Sequence, residues 1–388
     1  MGRFVLKRKI CFIGTSRATY GYKKNILKLL QKDKKIKCYY VVTGMHLSKK
    51  HGYSVNEILK DKIKIYKSFK MNFSRIDNHV SFVMSLSTEM KKFSQILSNL
   101  KPDILVVTGD RAEMFIAAIS AVYMGIPVAH IQAGDLSGHI DGSARHAITK
   151  ISHLHFASCK DSARRVLKLG EQRWRVFDVG APQLDELIEI KKNNNKLLLS
   201  KINIDLKESF FLIILHPVLY DTHSASQQIN KILKSVEKYS YKKIIIYPNI
   251  DTGNTRIINT INKFRTKKNY KIIKNLNRTD FLILLKHASI LIGNSSAGIL
   301  EAPTFKIPVL NIGNRQRGRI QANNIINCDF NERKITKSIN YILNNKNFKK
   351  NLKKCKNPYG QGKSSEKIIK ILKNIKINKK LLDKEMTY

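Results

Sequence analysis

The chain has 388 residues, of which 43% are hydrophobic, and its formal net charge at pH 7 is +44. This length exceeds what one ordinary core requires and predicts two domains, while the hydrophobic content excludes a largely disordered chain. The positive charge is spread along the chain together with abundant asparagine and isoleucine, a bias typical of codon composition acting on solvated surfaces. No helix-turn-helix, RNP-type or zinc-finger pattern accompanies it, so the charge favours tolerance of anions over nucleic-acid binding.

The five cysteines are scattered and form no C-x-x-C pair. Their pattern argues against a disulfide framework or a structural zinc site and predicts a cytoplasmic protein. The basic start resembles a signal peptide, but the apolar run after it ends too early, at Gly14, and Leu6 breaks the myristoylation pattern. No apolar stretch approaches transmembrane length, so we expect no membrane span.

Short apolar runs recur along the chain, each followed by a turn signal and a helix-length segment. In the first half the predicted strands are Lys9–Ile13, Tyr39–Val42, Ile104–Val107, Val128–Ile131, Leu154–Ala157 and Val176–Val179. In the second half they are Phe210–Leu215, Lys243–Tyr247, Lys271–Ile273, Ile290–Ile292 and Val309–Ile312. Continuous apolar runs suit strands that are buried on both faces, so the pattern predicts an α/β protein with two Rossmann-like, doubly wound parallel sheets.

A polar, low-complexity stretch at Lys191–Lys196 predicts the boundary between the two domains. The predicted domains are residues 1–190, which carry a cluster of acids, and residues 191–388, which end in a basic helical tail from about Asn344. The alternative is that this stretch is an ordinary surface loop within one domain.

Polar residues follow the predicted strands, where open α/β sheets bind their ligands. The turn after the first strand contains Gly14 and Arg17, which suit an anion, although a glycine turn before a helix is also an ordinary structural feature. This turn lacks the G-x-G-x-x-G spacing, so it gives no case for NAD. Asp110 follows the third strand and is interpreted either as a helix N-cap or as a catalytic acid.

The segment from His130 to Thr149 is the part of the chain richest in ionisable side chains. Its candidate functional residues are Gln132, Asp135, Asp141, Arg145 and His146. A purely connecting loop would not normally carry this chemistry, although Asp141 also fits the start of a helix. The alternative is a zinc site formed by His130, Asp135, His139 and Asp141. No H-E-x-x-H helix is present and the Asp–Arg neighbours suit ion pairing, so we expect no metal.

The second half contains two turns of the kind that bind ligands. His216 follows a strand and is either a near-core residue or a group that faces the substrate. The strand Ile290–Ile292 runs into Asn294, Ser295 and Ser296 and then into a helix. The free N–H groups of a helix start and two hydroxyls suit a phosphate, although a plain tight turn has the same pattern.

Three further residues of the second half suit a nucleotide. Glu301 lies further along the same predicted helix and is placed to accept hydrogen bonds from ribose hydroxyls. Arg315 and Arg319 follow the last predicted strand and can neutralise a diphosphate, unless that loop is simply basic and solvated.

Taken together, these segments make the chain resemble the hydrolysing UDP-N-acetylglucosamine 2-epimerases of sialic-acid and legionaminic-acid synthesis. The resemblance runs from about Lys9 to Cys328. Its markers are Thr43–Ser48 with Gly52 and Tyr53, Gly109–Arg111, Ser137–Asp141 with Arg145–Lys150, Leu215–Pro217, Gly293–Gly298 with Glu301–Pro303, and Asn311–Arg319.

The resemblance implies a fold of GT-B type with the site in the cleft between the domains, a homodimer, and neither metal nor redox cofactor. It implies a reaction that inverts carbon 2 of a nucleotide-activated amino sugar and releases the nucleotide and a free 2-epimeric sugar. Asp110 and Asp141 match positions regarded as catalytic, and His216 matches a residue near the sugar. Ser295, Ser296 and Glu301 match the nucleotide site.

The chemistry of this reaction explains why such residue types are needed. The hydrogen on carbon 2 is not beside a carbonyl, so the bond from carbon 1 to phosphate must break before a carboxylate can remove that proton. Arginines and a helix start stabilise the departing diphosphate. The predicted catalytic residues are Asp110, Asp135, Asp141 and His216. The predicted substrate-binding residues are Arg17, Gln132, Arg145, His146, Asn294, Ser295, Ser296, Glu301, Arg315 and Arg319.

The chain departs from the family pattern at three positions. Gln132 stands where some members have a glutamate, so Asp135 is expected to supply the missing acid. Thr19 stands where an acid is usual, and Thr15 replaces a glycine. These changes leave open whether the sugar is N-acetylglucosamine on UDP or N,N′-diacetylbacillosamine on UDP or GDP.

Three alternative functions remain open from the sequence. The first is a GT-B glycosyltransferase, which would share the fold and the nucleotide site. The second is a nucleic-acid-binding protein, suggested by the charge alone. The third is an epimerase fold used only for binding, suggested by Gln132.

Overall fold

The computed structural model describes residues 7–49, 53–71, 79–136, 139–192, 208–218, 224–248 and 253–388. For residues 18, 79, 139–141, 189, 191 and 192 it describes the main chain only. The chain divides into two compact units, Met1–Asp185 with Gly362–Tyr388, and Glu186–Gln361. Each unit is built on a parallel sheet of its own, so the predicted pair of Rossmann-like α/β domains is confirmed.

The first unit contains one sheet whose strand order reverses once. Its strands are β1 (Arg8–Gly14), β2 (Ile36–Val42), β3 (Lys67–Ser68), β4 (Ile104–Thr108), β5 (Val128–Ile131), β6 (Leu154–Ala157) and β7 (Val176–Asp178). They form a seven-stranded sheet in the order β3-β2-β1-β4-β5-β6-β7, and each neighbouring pair is parallel. The reversal lies between β1 and β4, which is where open α/β sheets bind ligands.

The second unit repeats this winding. Its strands are β8 (Phe210–Ile214), β9 (Lys242–Ile246), β10 (Tyr270–Ile273), β11 (Ile290–Gly293), β12 (Val309–Ile312) and β13 (Ile325–Cys328). They form a six-stranded parallel sheet in the order β10-β9-β8-β11-β12-β13. Here the strand order reverses between β8 and β11, so the ends of these two strands mark the expected ligand site of this unit.

Helices connect the strands and cover the sheets. In chain order they are α1 (Arg17–Tyr20), α2 (Lys24–Gln31), α3 (Val55–Lys60), α4 (His79–Leu100), α5 (Ala112–Tyr123), α6 (His139–Ile151), α7 (Lys160–Lys168), α8 (Asp185–Lys192), α9 (Ala225–Glu237), α10 (Asn254–Asn262), α11 (Arg278–His287), α12 (Ala297–Leu300), α13 (Ala302–Phe305), α14 (Glu332–Asn344), α15 (Lys346–Lys353), α16 (Ser364–Asn374) and α17 (Lys379–Leu382). Short 3₁₀ helices span Gly44–Leu47, Arg173–Arg175 and Pro182–Leu184. Within the described ranges, none of these helices is long and apolar enough to cross a membrane.

Alternate residues of the central strands enter different apolar clusters. In β1, Ile10 and Phe12 belong to one cluster, and Cys11 and Ile13 belong to another. Successive side chains of a strand point to opposite faces of the sheet, so both faces of β1 are covered by helices. The same alternation in β8 places its residues in the two clusters of the second unit. This is why the central strands read as unbroken apolar runs.

The last helices of the chain belong to the first unit, which corrects the predicted placement of the basic tail. The carboxylate of Asp185 accepts hydrogen bonds from the main-chain N–H groups of Ser364 and Ser365, at 3.0 and 2.7 Å, and so caps α16. Ile368 and Leu372 of α16 are buried in the cluster that contains Ile10 and Phe12. The tail packs here because its apolar face covers the first core.

The division between the units therefore differs from the predicted residues 1–190 and 191–388. The second unit runs only from Glu186 to Gln361, and the first unit resumes at Gly362. The low-complexity stretch Lys191–Lys196 does not mark the division, because α8 begins at Asp185 and runs through to Lys192. Most of that stretch lies outside the described residues.

Candidate functional site

Asp110 and Arg145 form an ion pair at the reversal point of the first sheet. Asp110 follows β4, and Arg145 is carried by α6, from which its Nη2 donates to the carboxylate of Asp110. The Nη1 of Arg145 donates to the main-chain oxygen of Gln132 at 3.1 Å. The structure thus brings together Asp110, Gln132 and Arg145, as the sequence predicts for a site at the strand ends.

Asp110 does not occupy the N-cap position that the sequence left open for it. That position, before α5, is taken by Arg111, which makes no side-chain capping bond. Gly109 precedes Asp110 with a φ of +80°, a left-handed conformation that turns the chain sharply at the end of β4. The carboxylate of Asp110 is therefore committed to Arg145 rather than to the start of a helix.

Gln132 has a strained main chain beside Asp110. It follows β5 with a φ of +66°, a conformation that residues other than glycine rarely adopt. Its side chain is buried, and its Oε1 lies 3.5 Å from the position that a β-carbon on Gly109 would occupy. Strain of this kind collects at functional sites, so the geometry supports the predicted role of Gln132 in substrate binding.

His130 holds the main chain of this site in place through hydrogen bonds. It is buried in β5, and its Nε2 donates to the main-chain oxygen of Gly109 at 2.8 Å. Its Nδ1 lies 3.1 Å from the hydroxyl of Thr149 on α6. Burial lowers the pKa of His130 to about 3, so the ring is neutral at physiological pH. His130 is a structural histidine that joins β4, β5 and α6, a role that the sequence analysis missed.

Both ring nitrogens of His130 are engaged, which removes it from the zinc ligands considered above. Over the ranges that the structure describes, no three His, Cys, Asp or Glu side chains are grouped as a metal site. The side chains of His139 and Asp141 lie outside the described residues.

His146 lies one residue beyond Arg145 on α6. Burial, followed by the guanidinium groups of Arg165 and Arg145, lowers the pKa of His146. Its Nδ1 is buried and has no hydrogen-bond partner within the described chain. A neutral imidazole with an unsatisfied nitrogen at this place is suited to bind a polar group of a substrate or a water.

The remaining predicted acids of this unit are placed differently. Asp135 is buried, and its carboxylate accepts a hydrogen bond from the hydroxyl of Ser158, directly after β6. That bond directs Asp135 toward β6, and the structure does not pair it with Asp110 or Arg145. Asp141 lies in the first turn of α6, and its side chain is outside the described residues.

Arg17, predicted to bind phosphate, forms an ion pair with Glu57. Its Nε lies 3.0 Å from Glu57 Oε1, and both side chains are partly exposed. Arg17 opens α1, whose N-cap Ser16 accepts from the N–H of Thr19. An exposed pair of this kind contributes little to stability, so Arg17 can exchange Glu57 for an anionic ligand at small cost.

Two buried glutamates lie near Arg111, the residue after Asp110, and the sequence analysis missed both. Arg111 donates through Nε and Nη2 to Glu113, at 3.1 to 3.3 Å. Glu89 of α4 accepts a hydrogen bond from the hydroxyl of Thr43 at 2.9 Å. Burial, and then the neighbouring carboxylate of Glu113, raises the pKa of Glu89 to about 8. The spacing of Arg111 and Glu113 after a strand was a usable signal, whereas nothing local marks Glu89.

In the second unit, Asn294 and His216 are joined at the reversal point of the sheet. The N–H of His216 donates to Asn294 Oδ1 at 2.8 Å, and Asn294 Nδ2 donates to the main-chain oxygen of His216 at 2.8 Å. Asn294 is buried, so its amide acts as a two-way clamp between the ends of β8 and β11. The side chain of Asn294 thus fixes the main chain of His216, and both are predicted site residues.

Close packing at the end of β11 requires glycine. A β-carbon on Gly293 would collide with the main-chain oxygen of Ile214, and Gly293 has a φ of +133°. The main-chain oxygen of Asn294 then accepts from Arg315 Nη1 at 3.2 Å and from Gln316 Nε2 at 2.9 Å. Arg315, predicted to contact a diphosphate, therefore lies beside Asn294.

The two serines after Asn294 lead into α12. Ser295 Oγ accepts from the N–H of Ala297 at 3.3 Å. Ser296 takes the N-cap position but makes no side-chain capping bond. Its hydroxyl is half-buried and suits an oxygen-rich ligand. Arg319 donates its main-chain N–H to the oxygen of Gln316 at 3.3 Å, so it belongs to the same loop.

Glu301 is buried and paired rather than open to solvent. Its Oε1 lies 3.3 Å from Arg278 Nη2, and Arg278 Nε lies 3.5 Å from Glu186. Burial raises the pKa of Glu301, and Arg278 opposes that effect. Arg278, at the start of α11, pairs with the candidate residue Glu301, a contact that the sequence analysis missed because nothing near Arg278 in the chain points to it.

Comparisons with known proteins identify the family to which the chain is similar. Residues 28–373 match the model of the family described as UDP-N-acetylglucosamine 2-epimerase. A UDP-N,N′-diacetylbacillosamine 2-epimerase (hydrolyzing) of Legionella pneumophila is 33% identical over 98% of this chain and 100% of its own. A GDP/UDP-N,N′-diacetylbacillosamine 2-epimerase (hydrolyzing) of Campylobacter jejuni is 36% identical over 96% of this chain and 97% of its own.

A solved structure shows the same fold. The UDP-GlcNAc 2-epimerase of Neisseria meningitidis bound to UDP-GlcNAc superposes with a TM-score of 0.81, covering 94% of this chain and 99% of that one at 20% identity. This likeness confirms the predicted GT-B type of fold. The near full-length identity to the two relatives and the family match confirm the predicted resemblance. The chain therefore belongs to the UDP-N-acetylglucosamine 2-epimerase family, in the company of its hydrolysing members.

Proposed function

We propose that the chain is a hydrolysing 2-epimerase whose substrate is N,N′-diacetylbacillosamine activated by UDP or GDP. The observation that carries this proposal is the buried Arg145 held between Asp110 and Gln132, at the reversal point of a Rossmann-like sheet. The choice of sugar follows the two relatives described above, both of which act on that sugar and match nearly the whole chain. UDP-N-acetylglucosamine is the second candidate, supported by the family match.

The reaction begins with loss of the nucleotide. The bond between carbon 1 and the phosphate oxygen breaks, its electron pair leaves with the nucleoside diphosphate, and positive charge develops on carbon 1 and the ring oxygen. Asp110, paired with Arg145, is the carboxylate that we assign to stabilise this charge. The neutral ring of His130 holds the main chain just before Asp110, so the carboxylate is positioned before the substrate arrives.

Proton removal and water addition complete the reaction. A carboxylate takes the proton from carbon 2, which forms the double bond of a glycal and neutralises carbon 1. Water then adds across that bond, with its hydroxyl going to carbon 1 and a proton going to the opposite face of carbon 2. We assign these transfers to Asp110 and Asp141, with Asp135 as the further acid of the same segment. Gln132 has no proton to give or take at neutral pH and binds the sugar.

The second unit supplies the groups for the nucleotide. Ser295, Ser296 and Arg315 lie around the clamped main chain of Asn294 and are assigned to the diphosphate, together with Arg319. Arg17 of the first unit is assigned to an anionic group of the substrate. Glu301 is assigned to the ribose, with Arg278 holding its carboxylate in place. His216 is assigned to the sugar, and His146 offers its unsatisfied nitrogen to a polar substituent.

The proposal also includes a cellular compartment, which is inferred from the cysteines, and an oligomeric state, which is inferred from the family. All five cysteines are unpaired, which supports a reducing, cytoplasmic setting. A homodimer is proposed from the resemblance alone, and sedimentation of the purified chain tests it.

The test is product analysis with three donors. The chain is incubated separately with UDP- and GDP-N,N′-diacetylbacillosamine and with UDP-N-acetylglucosamine, and the released sugar is identified by NMR. The proposal expects a free 2-epimeric sugar from the bacillosamine donors, with one deuterium at carbon 2 when the reaction runs in deuterium oxide. A glycosyltransferase would release no epimer from a donor alone, and an epimer without deuterium would exclude proton transfer at carbon 2.

A further inference from the structure

The last residues of the sequence lie against the end of the helix that carries Arg145. Helix α17 is capped by Asn378, whose side chain accepts from the N–H of Leu381 at 3.2 Å. Leu381 is buried in the first core. The residues after α17 continue along the loop that follows α7, where the N–H of Thr387 donates to the oxygen of Gly170 at 3.0 Å. This segment, Asn378–Tyr388, is called the strap below.

Arg175 fixes the strap through main-chain oxygens. Its guanidinium donates to the oxygens of Leu381 at 2.7 Å, Lys380 at 2.8 Å and Asp383 at 2.9 Å. The arginine is completely buried and also donates to the oxygen of His153, at the start of β6, at 3.3 Å. A planar guanidinium with several fixed donors sets the path of the chain more tightly than apolar packing alone.

Lys384 joins the strap to the end of α6. Its Nζ donates to the main-chain oxygens of Lys150 and of Ser152, the latter at 2.8 Å. These oxygens belong to the end of α6, where helical carbonyls lack partners within the helix. A lysine ammonium at this end satisfies those carbonyls and interacts favourably with the helix dipole. Lys384 is therefore the C-terminal cap of α6, provided by a residue far away in the sequence.

A buried carboxylate anchors the same ammonium. Glu171 Oε2 lies 2.8 Å from Lys384 Nζ and 2.9 Å from His155 Nε2, and its Oε1 lies 3.2 Å from Lys150 Nζ. The side chain of Glu171 is fully buried. Although burial opposes its ionisation, His155 and Lys384 lower the pKa of Glu171 to about 2. Lys384 is thus held between a fixed anion and the carbonyls of the helix.

The other half of α6 carries the candidate site. Arg145, which binds Asp110, lies about 7.5 Å along the helix axis from Lys150 at 1.5 Å of rise per residue. Thr149, which contacts His130, lies within the capped turn. Movement of the last turn of α6 would therefore be transmitted to both residues that hold Asp110 and Gly109.

We propose that Lys384 is a positioning residue for catalysis, which caps α6 and thereby fixes Arg145 against Asp110. The proposal rests on the function proposed above. It adds to that function a role for the strap in setting kcat, and it assigns the strap no contact with the substrate.

The test compares three variants of the full chain. Lys384→Met removes the donors and keeps the length, Lys384→Arg keeps a cation and its donors, and Lys379→Met removes an exposed lysine of the same strap. Lys384→Met should lower kcat roughly 10- to 100-fold, since small displacements of positioned groups have effects of this size. The Kd for UDP should stay within about twofold of the unaltered chain, because the residues assigned to the nucleotide lie outside α6. Lys384→Arg should recover most of kcat, and Lys379→Met should match the unaltered chain.

Hydrogen exchange provides a readout that does not depend on activity. Lys384→Met should speed amide exchange in the last turn of α6, at residues 148–152, relative to α5. If Lys384→Met does not fold, Lys384→Gln, whose amide still donates to one carbonyl, takes its place in both measurements. The proposal is overturned if kcat is unchanged in Lys384→Met, or in Lys384→Gln where that variant replaces it. It is also overturned if kcat is lost and Lys384→Arg does not recover it. Failure of the unaltered chain to release any epimer would instead refute the proposed function, whereas unchanged exchange in α6 would refute the cap alone.

Discussion

The guanidinium of Arg145 is hydrogen-bonded to the carboxylate of Asp110, 35 residues earlier in the chain. The pair joins the start of one strand-to-helix turn to the middle of another helix, and Arg145 also holds the oxygen of Gln132. A carboxylate that is hydrogen-bonded to a fixed guanidinium keeps one orientation. That is the state required of a group that must meet positive charge on a sugar and then accept a proton.

Replacing Asp110 by asparagine should therefore remove turnover without removing nucleotide binding. The asparagine amide keeps the size of the side chain but can neither offset positive charge nor accept a proton. We expect kcat to fall roughly 10²- to 10⁴-fold, while UDP binds with an unchanged Kd by calorimetry. Asp178→Asn serves as the control, because Asp178 is an exposed acid at the end of β7. Near-normal kcat in Asp110→Asn would remove this residue from the mechanism.

Glu89 makes the stability of the fold depend on pH in a specific direction. Its pKa is about 8 in the folded protein and 4.5 as the ordinary value, so the folded state binds its proton more tightly than the unfolded state. This acid therefore destabilises the fold as pH rises from about 4.5 to 8. Glu89→Gln, which resembles the protonated acid, should be more stable than the unaltered chain by on the order of 3 kcal/mol at pH 7.

The measurement is urea unfolding of both proteins between pH 5 and pH 8. The two unfolding midpoints should approach each other at pH 5 and separate as pH rises. Glu366→Gln, which changes an exposed glutamate of α16, should show no such separation. A constant difference at all pH values would mean that Glu89 is ionised in the folded state.

The clamp between Asn294 and His216 predicts a loss of both stability and nucleotide binding. Asn294→Ala leaves the N–H and the oxygen of His216 without their partner at the end of two buried strands. Unsatisfied buried groups cost about 1–3 kcal/mol each, so the loss of two partners should lower the free energy of unfolding by roughly 2–6 kcal/mol. The Kd for UDP should rise, because Ser295 and Ser296 follow directly in the chain. Asn351→Ala, on the exposed side of α15, is the control, and equal effects of both variants would contradict the clamp.

The strands of both sheets were predictable because burial on two faces produces continuous apolar runs in the sequence. Val128–Ile131, Leu154–Ala157 and Val309–Ile312 coincide with the observed strands. The strands that escaped prediction are β3, which has two exposed residues, and β13, which is only partly buried. An edge strand pairs on one side only, so it need not carry an apolar run.

The residues of the candidate site that lie at strand ends were predictable from the sequence. The residues that reach the site only through tertiary packing were not. Asp110, Gln132 and Asn294 directly follow strands that flank or adjoin a reversal point, and a general rule finds such residues. Glu89 enters from the middle of a long helix, and Lys384 enters from the strap. No local pattern connects either residue to the strands that it supports. The strap was assigned to the wrong unit for the same reason. Buried charges and helix caps hold it against the first unit as much as its apolar side chains do, and the sequence pattern does not show these contacts.

The main chain of Gln132 provides the last prediction, because strain and function can be separated there. A residue with a β-carbon at a φ of +66° costs about 1 kcal/mol or more relative to glycine. Gln132→Gly relieves that strain but gives the unfolded chain more freedom, so folding stability should stay equal or rise by up to about 1 kcal/mol. The same change removes an amide that we assign to the sugar, so kcat/KM should fall at least about tenfold, the worth of one hydrogen bond.

Lys101→Gly is the matched control for Gln132→Gly. Lys101 has a φ of +47° and an exposed side chain at the end of α4. It should show the same small change in the urea midpoint with unaltered kcat/KM, because it carries strain without function. If Gln132→Gly keeps full activity, its side chain does not bind the sugar. A urea midpoint of Gln132→Gly that instead falls clearly more than that of Lys101→Gly would mean that the buried amide stabilises the fold, and that packing rather than catalysis maintains the strained main chain of Gln132.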